Sequence, residues 1–219
     1  IKADKVMATI TIWGAQTPRS LRPLWMAEEL ALDYQHRPIA PRSGETQTPE
    51  YTHLNPKQKI PLLVDADITL TESVAICRYL RDRYPAPEVY RPSTDQTRAK
   101  EDEWCCYILG EIDETSLYVM RRHGDLGELY GASDTVVSSC RDYAGRHLAI
   151  VADAMGDDFF VTGDAFGIAD LLLVSCLDWA LAYEVPVPGT LLSYRERIAQ
   201  RPAYQRAVAI NYPSLTGDQ

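Results

Sequence analysis

The residues best placed to do chemistry are Lys59-Ile60-Pro61, ahead of the apolar run Leu62-Leu63-Val64, and Glu72-Ser73, which follow Thr71. A proline that opens a strand cannot donate to a sheet ladder, so the backbone of Ile60 beside it stays available to an outside partner. Glu72 and Ser73 put a carboxylate and a hydroxyl at the start of a helix, where the first N–H groups have no partner. Together the two pieces read as a site for an extended peptide backbone with amino and carboxylate ends. Each has a plainer reading. Pro61 could be a trans proline starting an edge strand, and Thr71 or Ser73 a helix cap with Glu72 favoured by the dipole. Their coincidence favours the site.

The elements that must hold these residues follow from periodicity. Ala8 to Trp13 alternates Thr9 and Thr11 with Ile10 and Ile12, a strand pattern. Thr17-Pro18 combines a capping hydroxyl with a proline at the first helical position, and Leu21, Leu24 and Trp25 continue at helical spacing. Tyr34 to Ile39 is a second strand. Thr48-Pro49 starts a short helix that ends before Asn55-Pro56. Pro61 to Val64 and Ile68 to Leu70 form a hairpin about Asp65-Ala66-Asp67, and Val74, Cys77 and Leu80 mark another helix. The order is β-α-β-α-β-β-α.

Three prolines in residues 84–92 read as a linker, and every later signal is helical. Ser93 and Gln96 form a capping box ahead of a long helix with the ladder Trp104, Ile108, Ile112. Ser133 caps a helix reaching Met155. Gly167 and Asp170 open a strongly apolar one, Leu171 to Ala182, and further helices start at Ser193 and Pro202.

Of the 219 residues 46% are apolar, which suits one large or two small domains. A net charge of −9 argues against nucleic acid and anionic membrane as partners. No apolar run approaches the roughly 20 residues of a membrane helix, and no apolar signal core opens the chain. Ile1 to Val6 reads as a dispensable extension. The five cysteines form no Cys-x-x-Cys pair and sit with no histidine at metal spacing, so they read as structural thiols of a reducing, cytoplasmic protein with no metal. His36, His53, His123 and His147 share no metal spacing, and Trp104 and Trp179 read as core.

The βαβαββα unit, Asn55-Pro56 and Ile60-Pro61 before the hairpin, Thr71-Glu72-Ser73 after it, and the all-helical remainder resemble the cytosolic glutathione transferase family. The resemblance runs from Met7 to about Pro213. It implies a thioredoxin-like, glutathione-binding domain over residues 7–84 and an all-α domain over residues 93–219 that contributes the acceptor site. It also implies a cis Ile60-Pro61 bond, whose Ile60 backbone would receive the cysteinyl part of glutathione as an added strand. Glu72 would pair the γ-glutamyl amine, Ser73 and the helix N-terminus its carboxylate, and Lys59 the glycine carboxylate, although a lone lysine is commonly just solvated. Thr17 occupies the place where serine-type members carry the hydroxyl that activates the thiol, and threonine there is a departure. Ser20 is the competing donor and Arg19 a source of positive potential. Thr17 as an N-cap with no other duty stays open, and the two roles are compatible.

The family implies glutathione as co-substrate, a small hydrophobic electrophile as acceptor, and a two-fold homodimer. Conjugation is the first reading, glutathione-dependent reduction of disulfides or peroxides the second, and a non-catalytic binding protein of the same fold the third. The acceptor is expected beside the long helix, where Tyr107, Glu111 and Glu114 are spaced to share a face and Gly110 allows close backbone approach. Solvent-facing placement of Tyr107, Glu111 and Glu114 is the equal alternative. Asp170 resembles the family's buried helix-capping aspartate, a folding element.

Overall fold

The computed structural model describes residues 10–213. The expected extension Ile1 to Val6 and the first residues of the expected strand, Ala8 and Thr9, lie outside them. Four strands form one mixed sheet: β1 (Ile10–Trp13), β2 (Tyr34–Arg37), β3 (Leu62–Asp65) and β4 (Ile68–Thr71), in the order β2-β1-β3-β4. β1 runs parallel to β2 and antiparallel to β3, pairing Ile12 with His36 and with Leu63. The alternation that marks β1 as a strand turns Ile10 and Ile12 into the core and leaves Thr11 and Trp13 only partly covered.

Three helices accompany the sheet: α1 (Pro18–Glu29), α2 (Pro49–Leu54) and α3 (Ser73–Arg83). Thr17 and Thr48 cap the first two as their Thr-Pro pairs imply, each accepting from the backbone N–H three residues on. The β3–β4 turn is held from below, because Asp65 accepts from the hydroxyls of Tyr79 (2.9 Å) and Tyr84 (2.6 Å). Burial, followed by that carboxylate, pushes the Tyr84 phenol up to about 12.

Packing divides the described residues into two units, those up to Ala86 together with those from Pro202, and Pro87–Arg201. The last helix, α10 (Pro202–Asn211), therefore belongs with the sheet, not with the all-helical segment 93–219 expected from sequence. Its small residues Ala203 and Ala207 are buried and let it approach α1 closely. There Tyr204 meets Trp25 edge-on at 4.8 Å between ring centres, and Arg206 Nε lies 2.6 Å from Glu28 Oε2.

The second unit is helical throughout. α4 (Asp95–Tyr107) is capped by Thr94 with Thr97 as its reciprocal partner, not by Ser93 and Gln96: Thr94 is the residue with extended backbone, and its hydroxyl accepts from Thr97 N–H at 3.1 Å. The helix widens to π geometry over Ile108–Leu117 and continues as α5 (Tyr118–His123); a turn then leads to α6 (Gly127–Tyr130). Within the widened part Ser116 Oγ lies 2.8 Å from the Glu111 carbonyl and 2.7 Å from that of Ile112, so its hydroxyl bonds back onto the preceding turn. α7 (Asp134–Met155) starts on Ser133 as expected. α9 (Gly189–Ala199) starts before Ser193, on Pro188.

α8 (Ile168–Ala182) is buried on nearly every face, which its strongly apolar sequence requires. Asp170 closes its N-terminus, accepting from Val161 N–H (2.8 Å), Gly167 N–H (2.9 Å) and the Tyr194 hydroxyl (2.6 Å). Cys77, Cys105 and Cys176 are buried, Cys106 is exposed, and none of the five cysteines is in a disulfide.

Candidate functional site

The loop before β3 is organised by Asn55, which is 1% exposed. Its Nδ2 donates to the Lys59 carbonyl (2.7 Å) and its Oδ1 accepts Lys57 N–H (3.1 Å), while the Tyr51 hydroxyl donates to the same Lys59 carbonyl (2.6 Å). The Ile60–Pro61 peptide is cis. The Ile60 side chain packs on Ile39, Tyr51 and Leu62, and Lys59 is exposed. The loop from β1 to α1 passes directly against this segment at Gly14 (φ +119°), where a Cβ would stand 2.9 Å from Ile60 Cβ and 3.2 Å from Ser20 Cβ. His36 Nε2 donates to the Gly14 carbonyl at 2.9 Å and holds the loop there. Gly14→Ala meets both a left-handed backbone and a crowded neighbour. It should cost about 1–3 kcal/mol of stability, read as a lower denaturation midpoint, and an unchanged midpoint would mean the loop relaxes freely.

Glu72 has φ +70° and ψ 116°, a conformation uncommon for any residue with a side chain, and its carboxylate is exposed. Lys57 Nζ lies 2.5 Å from Glu72 Oε1 and 2.5 Å from Thr71 Oγ1. An ion pair this exposed contributes about 0–1 kcal/mol, so a competing cation can displace it. Ser73, 7% exposed, opens α3, and its Oγ accepts from Nη1 of the fully buried Arg22 at 3.3 Å. Arg22 thereby ties α1 to the start of α3. Neither Lys57 nor Arg22 was among the residues expected from sequence. Arg22 sits within the buried stretch of α1 between Leu21 and Leu24, and a charged residue inside an apolar run was the signal.

Thr17 is 7% exposed and sits at the N-cap of α1. Its Oγ1 accepts Ser20 N–H (3.0 Å) and lies 2.8 Å from Ser20 Oγ. Ser20 is fully buried, with Oγ 2.8 Å from Asn211 Oδ1, so its hydroxyl faces inward and only Thr17 of the two has any exposure. Arg19, in the first turn of α1, is half-buried. Asn211 carried no sequence signal, because nothing local relates it to a residue almost two hundred positions earlier.

In the second unit Tyr107 and Glu111 are both engaged by α7. The Tyr107 hydroxyl is hydrogen-bonded to His147 Nδ1 (2.8 Å), Tyr143 donates to Glu111, and the rings of Tyr143 and His147 lie 4.2 Å apart. Burial, with the Glu111 charge second, raises the Tyr107 phenol; for Tyr143 the hydrogen bond to Glu111 comes first. Both phenols therefore stay protonated at neutral pH. Glu114 is exposed, and a Cβ on Gly110 would meet no atom within 4 Å, so none of the described residues makes the close approach expected there.

Residues 8–82 match the glutathione S-transferase N-terminal domain model. Glutathione S-transferase GstA of Escherichia coli O157:H7 is 33% identical over 163 residues, 73% of this chain and 77% of that protein. A maleylacetoacetate isomerase of Pseudomonas aeruginosa is 29% identical over 83% of this chain and 87% of its own. Among solved structures, a theta class glutathione S-transferase of Xanthomonas axonopodis pv. citri with glutathione bound superposes with a TM-score of 0.77 at 28% identity, over 92% of this chain and 98% of that one. The chain belongs to the glutathione S-transferase family, with that family's thioredoxin-like domain and helical region, and is an enzyme of that class. No helix among the described residues is long and apolar enough to cross a membrane.

Proposed function

We propose that the protein conjugates glutathione to a small hydrophobic electrophile, using the Thr17 hydroxyl to hold the cysteinyl sulfur as a thiolate. The observation that carries this reading is Glu72. A carboxylate residue kept at φ +70°, exposed, directly ahead of the unpaired N–H groups of α3, is a strained arrangement of the kind retained where a ligand needs it. In this reading the α-amino group of the γ-glutamyl end replaces Lys57 on Glu72. The α-carboxylate lies on Ser73 and the α3 N-terminus, and the cysteinyl main chain pairs with Ile60 beside Pro61. Lys59, exposed and close by in sequence, takes the glycine carboxylate.

A free thiol titrates near 8.5, and lowering that to about 7 needs roughly 2 kcal/mol of preferential thiolate stabilisation. A hydrogen bond from Thr17, aided by the N-terminus of α1 and the nearby Arg19, suits that task. The thiolate sulfur then forms a C–S bond to the acceptor carbon while the leaving group departs with its electron pair. Tyr107, Gly110, Glu111 and Glu114 are the proposed acceptor-recognition residues. Two neutral phenols beside one carboxylate favour an uncharged acceptor over an anionic one. A homodimer and a cytoplasmic setting are part of the same proposal.

The test is the double variant Glu72→Ala/Ser73→Ala. Losing two contacts to charged groups, each about 1.5–3 kcal/mol, should raise the KM for glutathione about 10²-fold or more with the circular dichroism unchanged. A double variant that binds glutathione like the parent removes the assigned site. Turnover of an aryl halide against that of a glutathione mixed disulfide separates conjugation from reduction, and failure to be retained on immobilised glutathione would leave only a non-catalytic binding role.

A further inference from the structure

We infer that Asn211, at the end of the last helix, is a positioning residue for the Thr17 hydroxyl. The inference rests on the reading of Thr17 as the donor to the glutathione thiolate. Asn211 is fully buried and holds the segment that carries Thr17 at three points. Its backbone carbonyl accepts Gln16 N–H (3.0 Å), its Nδ2 donates to the Thr17 carbonyl (3.0 Å), and its Oδ1 lies 2.8 Å from Ser20 Oγ. α10 is already anchored on α1 by Tyr204 against Trp25 and by Arg206 on Glu28. An apolar residue would serve packing there as well, whereas a buried amide is costly unless every polar atom is used.

Proton counting assigns the direction of each bond. The Thr17 carbonyl has no proton to give, so the amide atom facing it is the nitrogen. Asn211 Oδ1 therefore faces Ser20 and can only accept. It takes the single proton of Ser20 because it is the nearer acceptor, at 2.8 Å against 3.0 Å for the Thr17 carbonyl, which already accepts Asn211 Nδ2 and Leu21 N–H. At the 2.8 Å contact between Thr17 Oγ1 and Ser20 Oγ, the bridging proton then belongs to Thr17. Thr17 Oγ1 meanwhile accepts Ser20 N–H at 3.0 Å, which fixes its side chain. Asn211 thus leaves Thr17 as a donor whose proton rests on a neutral hydroxyl. A thiolate is the stronger acceptor and takes that hydrogen bond by rotation about the Cβ–Oγ1 bond alone.

The test follows the ultraviolet absorbance of the bound thiolate and the pH–rate profile of full-length variants. Asn211→Ala should raise the pKa of the bound thiol by about one unit and lower kcat about tenfold near neutral pH, with recovery in alkali and a KM for glutathione changed by less than about threefold. Asn211→Asp keeps the acceptor for Ser20 but sets a second acceptor against the Thr17 carbonyl. It should raise that pKa at least as far, and it serves if the alanine variant folds poorly. Arg206→Ala, which loosens the same helix away from the network, should leave the profile in place. In a Thr17→Ala background Asn211→Ala should add no further pKa shift.

A normal profile in both Asn211 variants, alongside a shifted one in Thr17→Ala, overturns the role of Asn211 and leaves that of Thr17 standing. A normal profile in Thr17→Ala overturns the reading of Thr17 and the positioning role with it. Additive shifts in the double variant also overturn the inference, since Asn211 would then act by another route.

Discussion

Thr17→Ala should lower turnover at neutral pH by about 10–30-fold, the effect of losing most of the roughly 2 kcal/mol that holds the sulfur as a thiolate. The rate should recover in alkali, where the thiolate forms unaided, so the deficit is a displaced pH–rate profile and not a uniform loss. Alanine also removes the cap on Ser20 N–H, which costs about 1 kcal/mol of stability and is measured separately by melting. Ser20→Ala is the matched comparison. Its hydroxyl is fully buried and cannot reach a ligand, so its removal acts through Asn211 and Thr17 and should displace the profile less. A deficit of only a few-fold in Thr17→Ala would assign thiolate stabilisation to the N-terminus of α1 and the Arg19 region.

Asp170→Ala should be the most destabilising single change. It strands Val161 N–H, Gly167 N–H and the Tyr194 hydroxyl in the interior, at about 1–3 kcal/mol for each unsatisfied group. A total of at least about 3 kcal/mol is a large part of the stability of most domains, so the variant should melt far lower or fail to accumulate folded. A variant within about 1 kcal/mol of the wild type would show that water replaces the carboxylate.

The same residue makes stability pH-dependent. Burial pushes the Asp170 carboxyl up to about 6, against its hydrogen bonds from Tyr194, Val161 and Gly167, which lower it. A folded-state pKa above the unfolded one, near 3.9, means that protonation favours the folded chain. The contribution is fully present below about pH 4 and is lost as the pH rises through about 6, some 3 kcal/mol across the window. The stability of Asp170→Asn relative to the wild type should therefore rise between about pH 4 and 6. A flat difference would mean that the carboxyl titrates alike in both states.

Local rules made most of the sheet-bearing unit legible. Thr17-Pro18 and Thr48-Pro49 start helices because a hydroxyl cap and a proline at the first helical position need nothing from the rest of the chain. Ser133 and the Gly167–Asp170 pair mark their helices for the same reason. Where two hydroxyls competed, as Ser93 and Thr94 do for α4, sequence named the wrong one, because the choice lies in which residue has the extended backbone. The π widening after Tyr107 was likewise invisible, since a four-residue apolar ladder reads the same in either helix type.

By itself, then, the sequence determined the order of elements, the placement of Ile60-Pro61 and Glu72-Ser73 at the ends of β3 and β4, and the hydroxyl that opens α1. Each of these rests on contacts among residues a few positions apart. Only the tertiary structure decided that α10 joins the sheet-bearing unit, that Arg22 supports Ser73, and that Asn211 reaches Thr17 and Ser20. Those are pairings of buried polar groups far apart in the chain. Composition shows that such groups need partners, but which partner each one finds depends on how the helices pack.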